Sequence, residues 1–134
     1  MRPLLSDVSL KPGPADMAAA SRGARDLLRI RMSTRLFRLG SLSSVQDKVS
    51  FLDAPPGVIG MLIDDTAGIS ADPVLHGVLV IFNATPASVT ISPGSGWELH
   101  PVQASGFDSV VKTSTVSAGG SVTVPGRTTA VFVR

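Results

Sequence analysis

The spacing of apolar residues changes part-way along this chain of 134 residues. Between residues 14 and 29 they recur three or four positions apart, with charged residues on the opposite side, which predicts an amphipathic helix. Pro14 suits the first helical position, because the N–H that it lacks would have no partner there. Gly23 weakens this helix, so we expect the helix to pack on something. Its apolar side comprises Met17, Ala20, Ala24, Leu27 and Leu28.

From residue 45 onward, apolar residues alternate with polar ones or form short runs between turn residues, which is typical of strands. The turns carry Pro and Gly, which fix φ or permit a positive φ. The fold class predicted is mainly β, an antiparallel β-sandwich of about eight strands preceded by one α-helix. The strands are expected near residues 45–52, 58–63, 74–83, 88–92, 97–101, 109–117, 121–124 and 128–134.

Charge is distributed unevenly along the chain. Residues 1–48 hold nine Lys and Arg against four Asp, whereas residues 49–134 hold three against six acidic residues. A basic helix can bind nucleic acid or an anionic membrane, but here it lacks interleaved aromatic residues and any groove-reading motif. We therefore expect no nucleic-acid or membrane partner, and favour a helix that docks on an acidic neighbouring domain.

The composition excludes several kinds of protein. The chain has no Cys, so disulfides and thiolate metal sites are ruled out. No apolar run is long enough to span a membrane, and the first residues lack the apolar core of a signal peptide. A complete (β/α)8 barrel needs roughly 200 residues or more, so it does not fit into this length. The compartment stays open.

No catalytic, metal or cofactor site is expected from the polar residues. Glu98 is the only Glu, and no second carboxylate is placed beside it as glycoside hydrolysis requires, so Glu98 and His100 are expected on a solvated strand face. Asp64 and Asp65 are adjacent and should point to opposite faces, which favours capping of a strand end or turn. The only other imidazole, His76, makes a poor zinc set with His100.

Trp97 is the one residue whose side chain could stack on a sugar ring in a way typical of carbohydrate-binding domains. Such surfaces usually present two or more exposed aromatic residues, whereas this chain has a single Trp and no Tyr. A large aromatic side chain more often fills a core, so we expect a core role and keep sugar binding as the alternative.

Six strings in the same order along the chain resemble the C-terminal part of pullulanase-type α-1,6-glucosidases, the debranching enzymes of starch and glycogen. The resemblance covers most of the chain, and the string at 27–39 is similar to the end of the catalytic barrel in that family. The strings are MRPLL with SLKP (1–5 and 9–12), LLRIRMSTRLFRL (27–39), PGVIGMLIDD (56–65), VIFNATP (80–86), ELHPVQ (98–103) and VPGRTTAVFV (124–133).

The resemblance implies a division at residue 40. Residues 1–40 would be the last helix of a catalytic (β/α)8 barrel with its connector, and residues 41–134 a C-terminal β-sandwich. The parent enzyme would hydrolyse α-1,6 branch linkages in pullulan, starch or glycogen, would be secreted or plastidial, and would carry its catalytic Asp and Glu upstream of this chain. The sandwich would stabilise the barrel of the same polypeptide. The resemblance implies an interdomain seam at Leu27, Leu28, Leu36 and Phe37.

A second interpretation remains open. The chain could be a stand-alone module that binds branched α-glucan through Trp97, with no barrel attached. The two interpretations differ in what covers the helix and in whether the Trp97 ring is exposed.

Overall fold

A computed structural model describes residues 6–134; the resembling string at residues 1–5 lies outside the described residues. The helices are α1 (Pro14–Ser33), α2 (Leu42–Lys48) and α3 (Pro101–Ser105), with short 3-10 turns at Val8–Leu10, Arg35–Arg38 and Val111–Thr113. The strands are β1 (Val49–Leu52), β2 (Val58–Asp64), β3 (Gly77–Asn83), β4 (Val89–Ile91), β5 (Glu98–Leu99), β6 (Thr115–Val116), β7 (Val122–Val124) and β8 (Thr128–Val133).

The strands form two antiparallel sheets that face each other. The larger has the order β1-β2-β3-β8-β5 and the smaller the order β4-β7-β6. The core between them includes Leu79, Ile81 and Phe132 from the larger sheet and Val122 and Val124 from the smaller one, all fully buried. The predicted fold class, an antiparallel β-sandwich of about eight strands preceded by an α-helix, is confirmed.

The chain before residue 40 lies on the outer face of the larger sheet. Side chains alternate across a strand, so Val78 and Val80 of β3 point away from the sandwich core. They form a second buried cluster with Ile30 of α1 and Leu36 of the following 3-10 turn. Residues on both sides of the predicted boundary at residue 40 therefore share one core, while the division itself stays a prediction.

Helix α1 begins and ends on local signals. Pro14 occupies its first turn, and the Asp16 carboxylate accepts a hydrogen bond from the Gly13 N–H at 2.9 Å. The helix ends at Ser33, because Thr34 is extended and its side chain caps the next 3-10 turn instead. Within residues 6–134, α1 and the shorter helices are too short or too polar to cross a membrane.

Three predicted strands are wrong in part. Residues 45–48 belong to α2, because the Ser41 hydroxyl accepts a hydrogen bond from the Ser44 N–H and starts a helix. Pro101 begins α3 rather than ending a strand. Residues 111–113 form a 3-10 turn that the Asp108 carboxylate supports by accepting from Val110 N–H and Val111 N–H. In each case a side-chain cap outweighs the alternating pattern.

Candidate functional site

An open cleft of about 970 Å³ lies where α1, the β2–β3 loop and the start of α3 meet. Its lining brings together residues that lie far apart in the sequence, so it is the first place to look for chemistry. The polar residues in this lining include Ser33, Arg35, Arg38, Asp72, Glu98 and His100.

Ser33 and His100 resemble a nucleophile and base, since Ser33 Oγ lies 3.0 Å from His100 Nε2. The other ring nitrogen settles the tautomer. His100 Nδ1 accepts a hydrogen bond from the Val102 N–H at 3.2 Å, so Nδ1 carries a lone pair and the neutral ring carries its proton on Nε2. Nε2 therefore donates to Ser33 Oγ, which in turn donates to the Ile30 carbonyl at 2.7 Å. The ring cannot take a proton from Ser33, so the pair joins α1 to α3 instead.

Asp72 ties the junction after α1 to the β2–β3 loop. Its carboxylate accepts hydrogen bonds from Thr34 Oγ1 at 2.6 Å and from the Arg35 N–H at 3.1 Å, and also from the N–H groups of Val74 and Leu75. Burial would raise the pKa of Asp72, but these hydrogen bonds outweigh burial and lower the pKa to about 2. Asp72 is thus an ionised structural group near neutral pH.

Asp65 forms a buried ion pair with Lys48 of α2, with 2.6 Å between Nζ and Oδ1. The same carboxylate accepts from Ser70 Oγ and from the N–H groups of Ala71 and Asp72. Burial would raise the pKa of Asp65, but the Lys48 ammonium and these donors hold it well below its ordinary value. The sequence alone does not predict this pair, because nothing local relates Lys48 to Asp65.

The other predicted polar positions are structural. Asp64 accepts from the Thr66 N–H at 3.0 Å and pairs with the Arg134 guanidinium at 3.3 Å, while the adjacent Asp65 is buried, so the two do point to different surroundings. Glu98 is exposed as expected, but the expectation for His100 is wrong because its side chain is buried as the cap of α3. His76 is exposed at the entry to β3.

Metal binding has no support in the part of the chain that the structure describes. Within residues 6–134 no three His, Asp or Glu side chains lie close enough together to hold a metal ion. Asp65 and Asp72, the two buried carboxylates, are both saturated by protein donors.

Trp97 lies in the core between the sheets and is 5% exposed. The Arg134 guanidinium covers one face of its ring, with 4.5 Å between Arg134 Cζ and the ring centroid. Stacking on a sugar requires an open ring face, so this placement gives no support to a sugar-binding surface at Trp97.

The four predicted seam residues fall into two pairs. Leu27 and Leu28 of α1 are exposed, at 52% and 62%. Leu36 is only 1% exposed and Phe37 is half-buried, and both pack on the chain's own outer-sheet cluster. Only the first pair is therefore open to another part of a larger protein, and the seam itself remains untested.

Two facing antiparallel sheets, with a long helix packed on the outer face of the larger one, define this chain as a β-sandwich domain. The chain belongs to the family described as alpha-1,6-glucosidases, pullulanase-type, C-terminal, whose family model matches residues 1–134. The resemblance carried by the six sequence strings is thereby confirmed.

Two curated relatives and a solved structure agree with this assignment. The chain is 41% identical to pullulanase 1, chloroplastic, of Arabidopsis thaliana over 99% of the chain and 15% of that protein. It is 33% identical to the pullulanase of Klebsiella pneumoniae over 90% of the chain and 12% of that protein. The maltotriose complex of PulA from Klebsiella pneumoniae superimposes with a TM-score of 0.84 at 33% identity, over 91% of this chain and 14% of that one. The chain thus spans only about an eighth to a seventh of these relatives.

Proposed function

We propose that this chain is the non-catalytic C-terminal domain of a pullulanase-type enzyme that cleaves α-1,6-glucosidic branch linkages in pullulan, starch or glycogen. The observation that carries the proposal is the unequal coverage: the chain matches a C-terminal family along its whole length yet spans 12–15% of the curated relatives. Catalysis would then belong to the upstream part of the polypeptide, a (β/α)8 barrel by family resemblance.

The outer side of α1 supports a docking role. Met17, Leu28 and Met32 are all exposed, and their spacing of eleven and four residues puts them on one side of the helix. The opposite side faces this chain, where Asp26 accepts a hydrogen bond from the Phe107 N–H at 3.1 Å. A helix with one apolar side on its own sandwich and another apolar side in water is expected to have a second neighbour.

A second apolar surface, the sheet patch, comprises Phe51, Ile59 and Phe82, all exposed. Ile59 pairs directly with Phe82, and Phe51 pairs with Met61, so the three side chains share one face of the larger sheet. Val80 on that same face is covered by the chain before residue 40. The sheet patch therefore continues a surface that the N-terminal segment already covers in part, and the upstream polypeptide is its proposed occupant.

The charges on α1 fit an acidic partner. Arg25 and Arg31 are exposed on either side of the apolar stripe of α1, and residues 1–48 carry five more basic than acidic residues. Long basic side chains around an apolar centre are typical of a protein–protein contact whose rim pairs with carboxylates. We infer that the facing surface of the upstream part is apolar at its centre and acidic at its rim.

The experiment compares hydrolysis by two proteins. The purified chain of 134 residues should release no reducing ends from pullulan, whereas the longer polypeptide that carries it should do so. Glu98→Gln in the longer polypeptide should keep that activity, since Glu98 is exposed and the other carboxylate of its cleft, Asp72, is occupied by four protein donors. Release of reducing ends by the isolated chain, or loss of activity in Glu98→Gln at unchanged stability, would contradict the non-catalytic assignment.

A further inference from the structure

His100 is the one buried imidazole, and its position gives it two partners in different elements. Its Nδ1 accepts from the Val102 N–H at the first turn of α3, and its Nε2 donates to Ser33 Oγ in the last turn of α1. Its backbone N–H donates to the Val131 carbonyl of β8 at 2.8 Å. The ring therefore bridges α1 and α3 only while Nδ1 is free of a proton.

We propose that His100 is a pH-sensitive latch that holds the C-terminal turn of α1 against α3 and releases it when Nδ1 is protonated. A proton on Nδ1 would set two N–H donors against each other, because the Val102 N–H points at the same atom. The cap of α3 is then lost, and the ring has to leave the position from which it also reaches Ser33.

The surroundings of His100 do not fix its charge by themselves. Two cations, Arg35 and Arg38, and two carboxylates, Asp72 and Glu98, line the same cleft, while α3 and β8 carry no charged residue between 101 and 105 or 128 and 133. The carbonyl end of α1 favours a cation weakly. The Asp72 carboxylate is already saturated by four donors, and Glu98 is exposed to water.

Burial of the ring and its role as the cap of α3 therefore decide the direction in which the pKa of His100 shifts. Burial lowers the pKa of His100 below the ordinary value of 6.5. As the pH falls, the unfolded chain takes up this proton before the native chain does. The native state therefore loses stability as the pH falls from 6.5 to the lower native pKa of His100. Above 6.5 the latch contributes its full effect.

Release of the latch would leave other attachments of α1 in place. Two other hydrogen bonds also hold this part of the chain, one between Asp26 and Phe107 and one between Thr34 and Asp72. Neither involves a histidine. We therefore expect local loosening of the last turn of α1 rather than unfolding of the sandwich. Any consequence for docking rests on the proposed function, but the latch itself concerns only this chain and can be tested without it.

The test follows the ring nitrogens and the backbone amides of the purified chain by NMR, from about pH 8 to about pH 5, which brackets the ordinary histidine pKa. At the high end, Nε2 of His100 should be protonated and Nδ1 should not. As His100 titrates, the amides of Val102 and of residues 30–33 should lose protection against hydrogen exchange, after correction for the intrinsic effect of pH.

Two variants separate the latch from general acid loosening. In His100→Asn the side-chain oxygen can still cap α3, so the chain should fold and the pH-dependent loss of protection should disappear. His76→Asn is the matched control, since His76 is exposed and its backbone bonds to Asp65 and Arg134 need no side chain. His76→Asn should keep the full pH-dependent loss of protection.

Three outcomes would overturn the latch. They are a ring proton on Nδ1 at the high end of the range, titration of His100 at or above the ordinary histidine pKa, and equal loss of protection in His100→Asn and in the unsubstituted chain. If His100→Asn does not fold, the ring-nitrogen protonation and the titration of His100 in the unsubstituted chain still test the latch.

Discussion

Single residues decide how the β2–β3 loop is held. Lys48 and Asp65 are 8% and 0% exposed at their side chains and make a 2.6 Å ion pair. The Lys48 ammonium also donates to the Ala67 carbonyl at 3.2 Å. Burial removes both charges from water, so the intact pair adds little net stability and mainly fixes the geometry of the loop. Loss of one partner costs more free energy than the pair contributes, because the other charge stays buried.

Lys48→Met should therefore lower the free energy of unfolding by about 3 kcal/mol, since it leaves the Asp65 carboxylate buried without its cation. Urea unfolding of the purified chain at neutral pH measures this. Lys112→Met is the control, because Lys112 is exposed and its replacement should change the free energy of unfolding by less than about 0.5 kcal/mol. Equal effects of the two substitutions would contradict the role given to the buried pair.

Acid should weaken the fold through Asp72. Its native pKa of about 2 lies below the ordinary Asp value, so the unfolded chain binds more protons as the pH falls. Stability from this group is complete above about pH 4 and is lost between about pH 4 and about pH 2. Asp72→Asn should be less stable at neutral pH and should show a shallower loss across that window.

Urea midpoints at several pH values measure the difference between the two proteins. Some loss should persist in Asp72→Asn, because the pKa of Asp65 is depressed as well. Parallel pH profiles for Asp72→Asn and the unsubstituted chain would show that Asp72 does not carry this effect.

At the scale of elements, the strands whose hydrophobic pattern is strongest were predictable. The expected strands at 58–63, 74–83 and 128–134 overlap β2, β3 and β8 because their residues alternate between two buried clusters. Helix α2 was missed because the Ser41 cap is a local side-chain effect that the apolar spacing does not contain. The bridge from Ser33 to His100 spans 67 residues of sequence, so only the folded chain can bring it together.

Two glycines give predictions of opposite sign, Gly23 in α1 and Gly126 in the turn between β7 and β8. A Cβ added at Gly23 would meet nothing within 4 Å, so Gly23→Ala should raise the free energy of unfolding by about 1 kcal/mol through helix propensity. A Cβ at Gly126 would clash with the Pro86 carbonyl oxygen, so Gly126→Ala should lower the free energy of unfolding. Thermal unfolding of both variants checks the pair, and a destabilised Gly23→Ala would mean that the inner side of α1 packs more closely than described.

At the scale of the whole molecule, the proposed docking depends on surfaces that this chain leaves open. Leu28 is exposed here, yet the proposed docking would bury it against the upstream part of a longer polypeptide. Leu28→Asp should therefore change the stability of the isolated chain little, while lowering the stability of the longer polypeptide by about 2 kcal/mol or more, because it buries an unpaired charge.

Melting temperatures of both proteins with and without the substitution give the comparison. Val110→Asp is the matched control, since Val110 is an exposed apolar residue like Leu28 and is not one of the predicted seam residues. It should be neutral in both proteins. An equal effect of Leu28→Asp in both proteins would place Leu28 outside the seam.

The mass of the native polypeptide that carries this sequence tests the central claim most directly. An antibody raised against the sandwich can be used to blot an extract of the source cells. We expect a band several times larger than the 13.8 kDa of this chain, because the matching domain makes up 12–15% of the curated relatives. A single band at 13.8 kDa would contradict it, because no upstream part would then exist for α1 and the sheet patch to contact.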